Sequence, residues 1–467
     1  MEEILKTELL DWIDKNQEEF IQISKTLWEN PELGMEEYQS SDLIADTLEK
    51  YGFKVTRGIA GMPTAFIAEY GQGKPVVGLS VEYDCLPGLS QTEAATEYDP
   101  IVPGAPGQGC GHNILGVSAA FCAVALKRVL EIHKITAALK VFGTPAEEIC
   151  VGKPFLARDG WFDGLDYVLD WHPWYSNQAN PDYCSAYFNV RYHFHGKNAH
   201  GNSPWYGRSA LDGAIWTAHA IEILREHIRP EEESSANTIN YSFSDVGPEI
   251  PNVVPERSTL WCIGRFKTSE EMNKVMARID KCAEAGAMAT ETTLVREFVS
   301  ASREKIPNSV MSDVLYRNMK ELGTISYTEE EQNLVKEIQK NSEIPETGLP
   351  VEIMEPKEIG TGVTDSAEYS WKAPYGNFTL AVAPGDGWHN WRVTSCVGSS
   401  IGMKGMVHAA KLLAISNIEV IQNPNLVESA KAELASRIKG KEYVALIAKD
   451  IIPPVVINRE TMEKYRK

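Results

Sequence analysis

Positive charge is scarce in this sequence. Its 467 residues include 45 Lys and Arg against 65 Asp and Glu, a formal net charge of −20. A surface of that sign repels phosphate backbones and anionic headgroups, so neither nucleic acid nor a membrane is expected as a partner. Paired cysteines are lacking too. The eight cysteines (85, 110, 122, 150, 184, 262, 282 and 396) stand singly, several inside apolar runs. This implies reduced thiols and a cytoplasmic location rather than a disulfide framework. No apolar stretch reads as a membrane span. The opening "MEEILKTELLDWIDKNQEEF" is an acidic amphipathic helix without the basic and apolar regions of a signal peptide. Repeats and low-complexity tracts are missing as well.

What is present describes a folded chain, with 43% hydrophobic and 24% charged residues. The length implies two domains or three. Helical periodicity over 4–29 and in "SSDLIADTLEKYG" precedes two strands, "TAFIAEYG" and "PVVGLSVEY", separated by a "GQGKP" turn. A long apolar helix, "LGVSAAFCAVALKRVLEIH", and the strand "ALKVFG" follow. This β–α–β rhythm predicts an α/β fold, a mostly parallel sheet with helices on both faces. From about 185 to 302 the texture changes to strand, helix, strand, strand, helix, a compact α+β insert. Residues 1–184 and 303–467 then form one domain around it. In the second part "GNFTLAVAPG" reads as a strand and "CVGSSIGMKGMVHAAKLLAISN" as one long helix. The acidic "TEEEQNLVKEIQKNSE" reads as a solvated helix.

Residues able to hold a metal gather where strands end or helices begin. Cys110 and His112 sit in "GQGCGHNILG", at a glycine-rich helix entry. Glu147 and Glu148 end a strand in "GTPAEEICVGK". His172 in "LDWHPW" and His389 in "APGDGWHNW" each follow a strand. In an open α/β sheet that rim is where ligands bind. Each histidine alone reads as a loop residue, but together with Cys110 and the glutamates they make a donor set suited to zinc or manganese. The spacing is not that of a zinc finger, so these ligands would converge from distant strands.

These segments resemble the amidohydrolase branch of the two-metal aminoacylase/carboxypeptidase metallopeptidases. "CGHN" is similar to that family's Cys-Gly-His-Asp, and "PAEE" to its acid pair. "GKNAHGNSPWYGRSALDGA" and "IPNVVPERSTLWCIGR" resemble two segments of its lid domain. "EYDCLPGLSQ" resembles its Asp-Ala-Leu-Pro segment and, with "GHNILG", points to the aminobenzoyl-glutamate hydrolase type within that branch.

The resemblance implies a metal-dependent hydrolase of N-acyl or aminobenzoyl amino acids. Two divalent ions per subunit, zinc or manganese, would be held by Cys110, His112, Glu148, His172 and His389. Glu147 would be the general base and Asp84 would orient a ligand. The insert would be a lid and dimerisation domain, in which His200 reaches the partner's site of a homodimer to stabilise an oxyanion. Asn252 and Arg265 would hold the substrate's carbonyl or carboxylate. A second gene product is a further expected partner, because aminobenzoyl-glutamate hydrolase is a two-subunit enzyme.

Two departures from the family pattern bear on the metals: Glu82 stands where the branch has Asp, and Asn113 replaces the Asp after Cys-Gly-His. Asp365 and Glu368 fall where the family carries further polar pocket residues, with a plain loop role as the alternative. His193, His195 and His219 lack motif support and read as structural.

One feature comes from this sequence itself. Trp171 and Trp174 flank His172, Trp388 and Trp391 flank His389, and Trp205 follows His200. They imply an aromatic-walled pocket, with Trp174 and Trp388 as substrate contacts for a small amide bearing a ring. Two alternatives stay open: a dipeptidase or aromatic-amine deaminase on the same scaffold, and a non-catalytic partner subunit.

Overall fold

Apolar residues three and four apart give the first helix, α1 (Glu2–Glu29), one buried stripe through Leu5, Leu9, Ile13, Phe20 and Leu27. The computed structural model describes residues 2–229, 237–385 and 387–466. After α1 come α2 (Tyr38–Lys50), β1 (Lys54–Arg57), β2 (Phe66–Gly71), β3 (Val76–Val81) and α3 (His112–His133). Then follow β4 (Ala138–Gly143), α4 (Gly152–Arg158), β5 (Tyr167–Trp174) and the two-residue β6 (Asp182–Tyr183).

The middle segment contains β7 (Ala186–His195), α5 (Ala210–Arg225), β8 (Thr238–Asp245), β9 (Arg257–Phe266), α6 (Ser269–Thr290) and β10 (Thr293–Ser302). The chain returns through α7 (Ser309–Leu322), α8 (Glu329–Asn341), β11 (Ile359–Gly360), α9 (Ala367–Lys372) and β12 (Tyr375–Ala381). It closes with α10 (Trp391–Gly398), α11 (Ser400–Gln422), α12 (Pro424–Ile438) and α13 (Arg459–Glu463).

The main sheet has the order β1-β2-β4-β3-β5-β12. Strands β4, β3, β5 and β12 are parallel, and β1 and β2 run antiparallel at one edge. Helices α1, α3, α7 and α11 bury one face. On the other, Phe155 and Leu156 of α4 and Tyr369 of α9 pack with Phe142 and Val168. The fold is therefore the mixed α/β one anticipated. The second sheet, β10-β7-β9-β8, is antiparallel and carries α5 and α6 over its own core.

Several details differ from expectation. The strands either side of "GQGKP" are not neighbours, since β4 lies between β2 and β3. Val77, Gly78, Leu79, Ser80 and Val81 are all buried, which a strand covered on both faces requires and a hairpin edge does not. The long helix expected over 396–417 is two helices. Ser399 is extended there, and its hydroxyl accepts from the Ile401 N–H at 3.2 Å, capping α11. The acidic α8 is docked rather than fully solvated, because Glu331 is buried against Lys404 and Ser400. Lastly, α3 is long and apolar enough to cross a membrane by length and composition, yet 89% of that window is buried inside the fold. All eight cysteines are unbridged.

The end of α10 makes a test of this packing. A Cβ on Gly398 would sit 2.3 Å from the Trp28 ring, whose indole N–H donates to the Thr394 carbonyl at 2.9 Å. Gly→Ala within a helix ordinarily gains up to about 1 kcal/mol. Gly398→Ala should instead lose about 1–3 kcal/mol, because Trp28 must move. Urea denaturation reads the sign directly, and a stabilised variant would refute the close approach.

Candidate active site

Because β3, β4, β5 and β12 are parallel, the segments leaving their C-terminal ends share one rim. Glu82 and Asp84 follow β3, Glu147 and Glu148 follow β4, His172 lies within the end of β5, and His389 follows β12. Helix α3 brings His112 to the same rim as its first residue. It can approach because Gly116 lacks a side chain; a Cβ there would lie 2.1 Å from the Glu82 carbonyl oxygen.

Donor atoms of Cys110, His112 and His172 lie within 4.8 Å of one another. The same holds for Cys110, Glu148 and His389, and for Glu82, His112 and Glu147. His172 Nε2 stands 3.4 Å from Cys110 Sγ, while its Nδ1 is 2.7 Å from the Pro173 carbonyl. His389 Nε2 is 3.3 Å from Glu148 Oε2. Five positions scattered along the sequence are thus gathered by the fold into one cluster. Glu82 joins them, a residue whose role the sequence left open.

Asp84 holds the cluster in register. One oxygen lies 2.9 Å from His112 Nδ1 and the other accepts the Glu148 N–H at 3.0 Å. With Nδ1 engaged, His112 presents Nε2 inward. That nitrogen, Glu82 Oε2 and Glu148 Oε1 are buried without hydrogen-bond partners. Unpaired buried polar atoms are costly in a folded protein. Their convergence with a thiol and two further imidazoles fits divalent cations.

The two glutamates diverge because the backbone turns sharply. Ala146 (φ 55°) and Cys150 (φ 52°) are both left-handed and flank a single 3-10 turn, Glu147–Ile149. Such conformations are unfavourable for residues with a Cβ and persist where neighbours enforce them. Here Glu37 accepts the Ala146 N–H at 2.8 Å. Glu147 Oε1 accepts from the Thr364 hydroxyl at 2.7 Å, and its Oε2 lies 3.9 Å from His112 Nε2.

The electrostatics follow from this crowding. Burial, then the Glu82 charge, raises the Glu147 carboxyl. Burial, with Glu147 and Asp84 nearby, pushes Glu148 well up. Burial and then Glu148 raise the Cys110 thiol. Burial and the neighbouring His112 bring His172 down to about 4. Glu82 moves the other way despite burial, because Lys153 and His112 hold it ionised.

Other expected residues lie elsewhere. His200 and Asn252 are exposed on two paired loops: His200 bridges Val253, and the Gly201 N–H donates to the Asn252 carbonyl at 2.7 Å. Arg265, half-buried on β9, donates to Asn240 at 3.1 Å. Among the described residues, none of the three hydrogen-bonds to the cluster of its own chain. Trp174 and Trp388 do stand beside it, with ring centroids 4.7 Å apart and each about 6 Å from His172. Trp171 belongs to the core instead: it packs on Phe378 and its indole meets Ser118. Trp205 is exposed in the insert. Of the other histidines, His193 pairs with Thr259 and Glu297.

Glu368 is not a pocket residue. It accepts from the Arg303 N–H and the Tyr443 hydroxyl, tying α9 to the end of β10. Asn113 faces away from the cluster, donating to Ser24 and the Val397 carbonyl. Its departure from the family pattern therefore removes no donor from the site.

A peptidase dimerisation domain matches residues 185–291. The chain is 31% identical to a subunit of the p-aminobenzoyl-glutamate hydrolase of Escherichia coli K12, covering 95% of this chain and 97% of that protein. The chain belongs to the M20 family. As an M20 member it is an amide-hydrolysing enzyme. It is also 26% identical to the Xaa-Arg dipeptidase of Mus musculus over 95% of each chain. A Bacillus subtilis structure described as a dinuclear metal binding M20 peptidase shares the fold at TM-score 0.55 and 15% identity, covering 87% of this chain and 98% of that one.

Three residues beside this cluster have no role that the sequence suggests. Lys153 is fully buried with Nζ 2.8 Å from Glu82 and 2.5 Å from Asp365. Glu37 and Thr364 hold the glutamate turn from either side. Lys153 ends the segment that carries the two glutamates and Thr364 directly precedes Asp365, but no local pattern pairs any of the three with the cluster, and only folding brings them to the rim.

Proposed function

We propose that this chain hydrolyses the amide bond of N-acyl or aminobenzoyl amino acids, using two divalent ions, zinc or manganese, per subunit. The observation that carries the reading is the convergence of Cys110, His112, Glu148, His172 and His389 around buried, partnerless donor atoms, with Glu147 turned toward the same space. When bound, the ions supply an activated water and polarise the substrate carbonyl. Glu147 takes the proton of that water and returns it to the leaving nitrogen. Its raised carboxyl affinity suits a group that must hold and release a proton, and the Thr364 hydroxyl fixes its orientation. Asp84 keeps His112 Nε2 and the Glu148 backbone in place.

The paired rings of Trp174 and Trp388 support an aromatic acyl or amine group beside His172. A carboxylate on the substrate would suit Arg265, whose planar fork can hold both oxygens. His200 lies on an exposed loop of the insert and makes no hydrogen bond to the cluster of its own chain, which favours its acting on a partner's site in a homodimer. The Escherichia coli relative is named as one subunit of its enzyme, which makes a second gene product a further partner to test. The relative named as a dipeptidase supports dipeptides as the alternative substrate class.

A panel of benzoyl, aminobenzoyl, indolylacetyl, acetyl and dipeptide substrates checks the ring. Aromatic amides should turn over fastest, and Trp388→Ala should raise their KM more than that of acetyl amides. Faster turnover of acetyl substrates or dipeptides would remove the aromatic reading.

Glu147→Gln preserves shape and removes the proton acceptor. Turnover should fall at least about a hundredfold, with metal content near that of the unaltered enzyme. Parallel loss of metal and activity would reassign Glu147 as a ligand.

His200→Ala should cost roughly a hundredfold in turnover, the magnitude of one oxyanion donor. Mixed with Glu147→Gln under confirmed subunit exchange, it should regain part of the activity, because one site of each mixed dimer has both groups intact. A dead mixture would exclude action across the interface.

A further inference from the structure

Lys153 stands out among the groups that the proposed chemistry does not use. It is the second residue of the short helix α4, just after the glutamate turn, and no part of its side chain is exposed. An isolated ammonium in such a place is very costly, so its charge must be matched. Nζ is 2.8 Å from Glu82 Oε1 and 2.5 Å from Asp365 Oδ1, and the Lys153 N–H donates to Asp365 Oδ2 at 3.1 Å. Ser366 donates more weakly to the same Glu82 oxygen, at 3.4 Å. Lysine, hydroxyl and backbone thus bind three separate chain segments into one buried knot.

The knot engages one side of Glu82 only. Oε1 is occupied, while Oε2 faces His112 Nε2 at 3.3 Å, with no hydrogen bond made by either atom. His112 Nδ1 is already engaged by Asp84, so Nε2 offers a lone pair, as does the carboxylate oxygen. So close an approach is favourable only with a cation between the two atoms, a proton or a metal ion, and a metal ion that displaces the proton would be held by both. Glu147 Oε2 looks onto the same space, 3.9 Å from His112 Nε2.

We infer that Glu82 is an additional metal ligand, binding through Oε2 beside His112, and that Lys153 is the positioning residue that fixes it there through Oε1. The inference rests on the proposed two-metal reading and adds a carboxylate to its donor set. One ion would then sit among harder nitrogen and oxygen donors than the thiolate side of the cluster provides, which favours manganese at that position. Lys153 also returns one positive charge to a crowded group of carboxylates without occupying a coordination position. Asp365 is the counter-charge that keeps the ammonium in place.

Equilibrium metal binding tests this without reference to turnover. Stripped protein is titrated with Mn²⁺ in chelator buffers, and bound ions are counted by elemental analysis. The unaltered protein should bind two ions. Glu82→Gln should retain one and weaken the other by at least about 10–100-fold, the range for loss of a group that merely supports a ligand. Lys153→Met should weaken the same ion, and Glu82→Gln/Lys153→Met should lose no more than Glu82→Gln alone, since Lys153 acts through Glu82. Lys153→Arg should recover most of the affinity, and excess Mn²⁺ should restore kcat in Glu82→Gln more fully than in Glu147→Gln.

If Glu82→Gln binds both ions with unchanged affinity, Glu82 is not a ligand and the inference fails while the two-metal reading stands. If the unaltered protein binds fewer than two ions, that reading itself fails. Additive losses in the double variant would show that Lys153 acts by another route. Should Lys153→Met not fold, Glu82→Gln decides the ligand assignment and Lys153→Arg decides the positioning role.

Discussion

Like charges forced together at the rim of the parallel sheet set the terms for the rest of the molecule. Glu37, Glu82, Asp84, Glu147, Glu148 and Asp365 are gathered around His112, and Lys153 supplies an ammonium among them. In a poorly solvated interior such repulsion is strong. Burial, and after it this repulsion, raises the proton affinity of Glu37, Glu147, Glu148 and Asp365, and cations relieve it. Each carboxylate is therefore held by a donor from a different part of the chain: Glu37 by Thr64 and Ala146, Glu82 by Lys153, Glu147 by Thr364. Those holders are spread from residue 64 to residue 364. The cluster exists only if the whole sheet and its helices are assembled.

The sheet's geometry explains why this rim can hold such a cluster. Four parallel strands deliver their C-terminal ends to one line, and α3 starts from the same line. Backbone strain is concentrated there, in the left-handed Ala146 and Cys150 and in His389 at φ 63°. Strain of this kind survives where surrounding contacts over-determine the conformation. It lets neighbouring residues point to different partners, so Glu147 meets Thr364 while Glu148 meets His389. The insert contributes by other means. Its own core makes a stable platform, from which paired loops present His200 and Asn252 outward.

Much of this was legible from one chain, for identifiable reasons. His112, Glu147 and Glu148 lie next to strong local signals, a glycine-rich helix entry and a strand end, so pattern alone located them. Periodicity found most of the helices and strands because burial on one face imposes it. It failed where burial does not repeat. β3 is covered on both faces, so its sequence could not say which strands flank it. The break at Ser399 is local capping inside an otherwise apolar helical run. Trp171 and Trp174 are three residues apart in β5, so alternation sends them to opposite faces, but only the packed fold decides that Trp171 fills the core and Trp174 meets the site.

What the sequence determined by itself was the order of elements, the family and the residue types able to bind metal, since these depend on local pattern and matching motifs. Pairing was decided by tertiary structure. Lys153 could be matched to Glu82 and Asp365 only once α4, the end of β3 and the segment before α9 were packed together. Asp84, two residues from Glu82, faces His112 Nδ1 and the Glu148 backbone, while Glu82 faces Nε2. A buried charge takes its meaning from what surrounds it in space, and for this site those surroundings are drawn from residues 37 to 389.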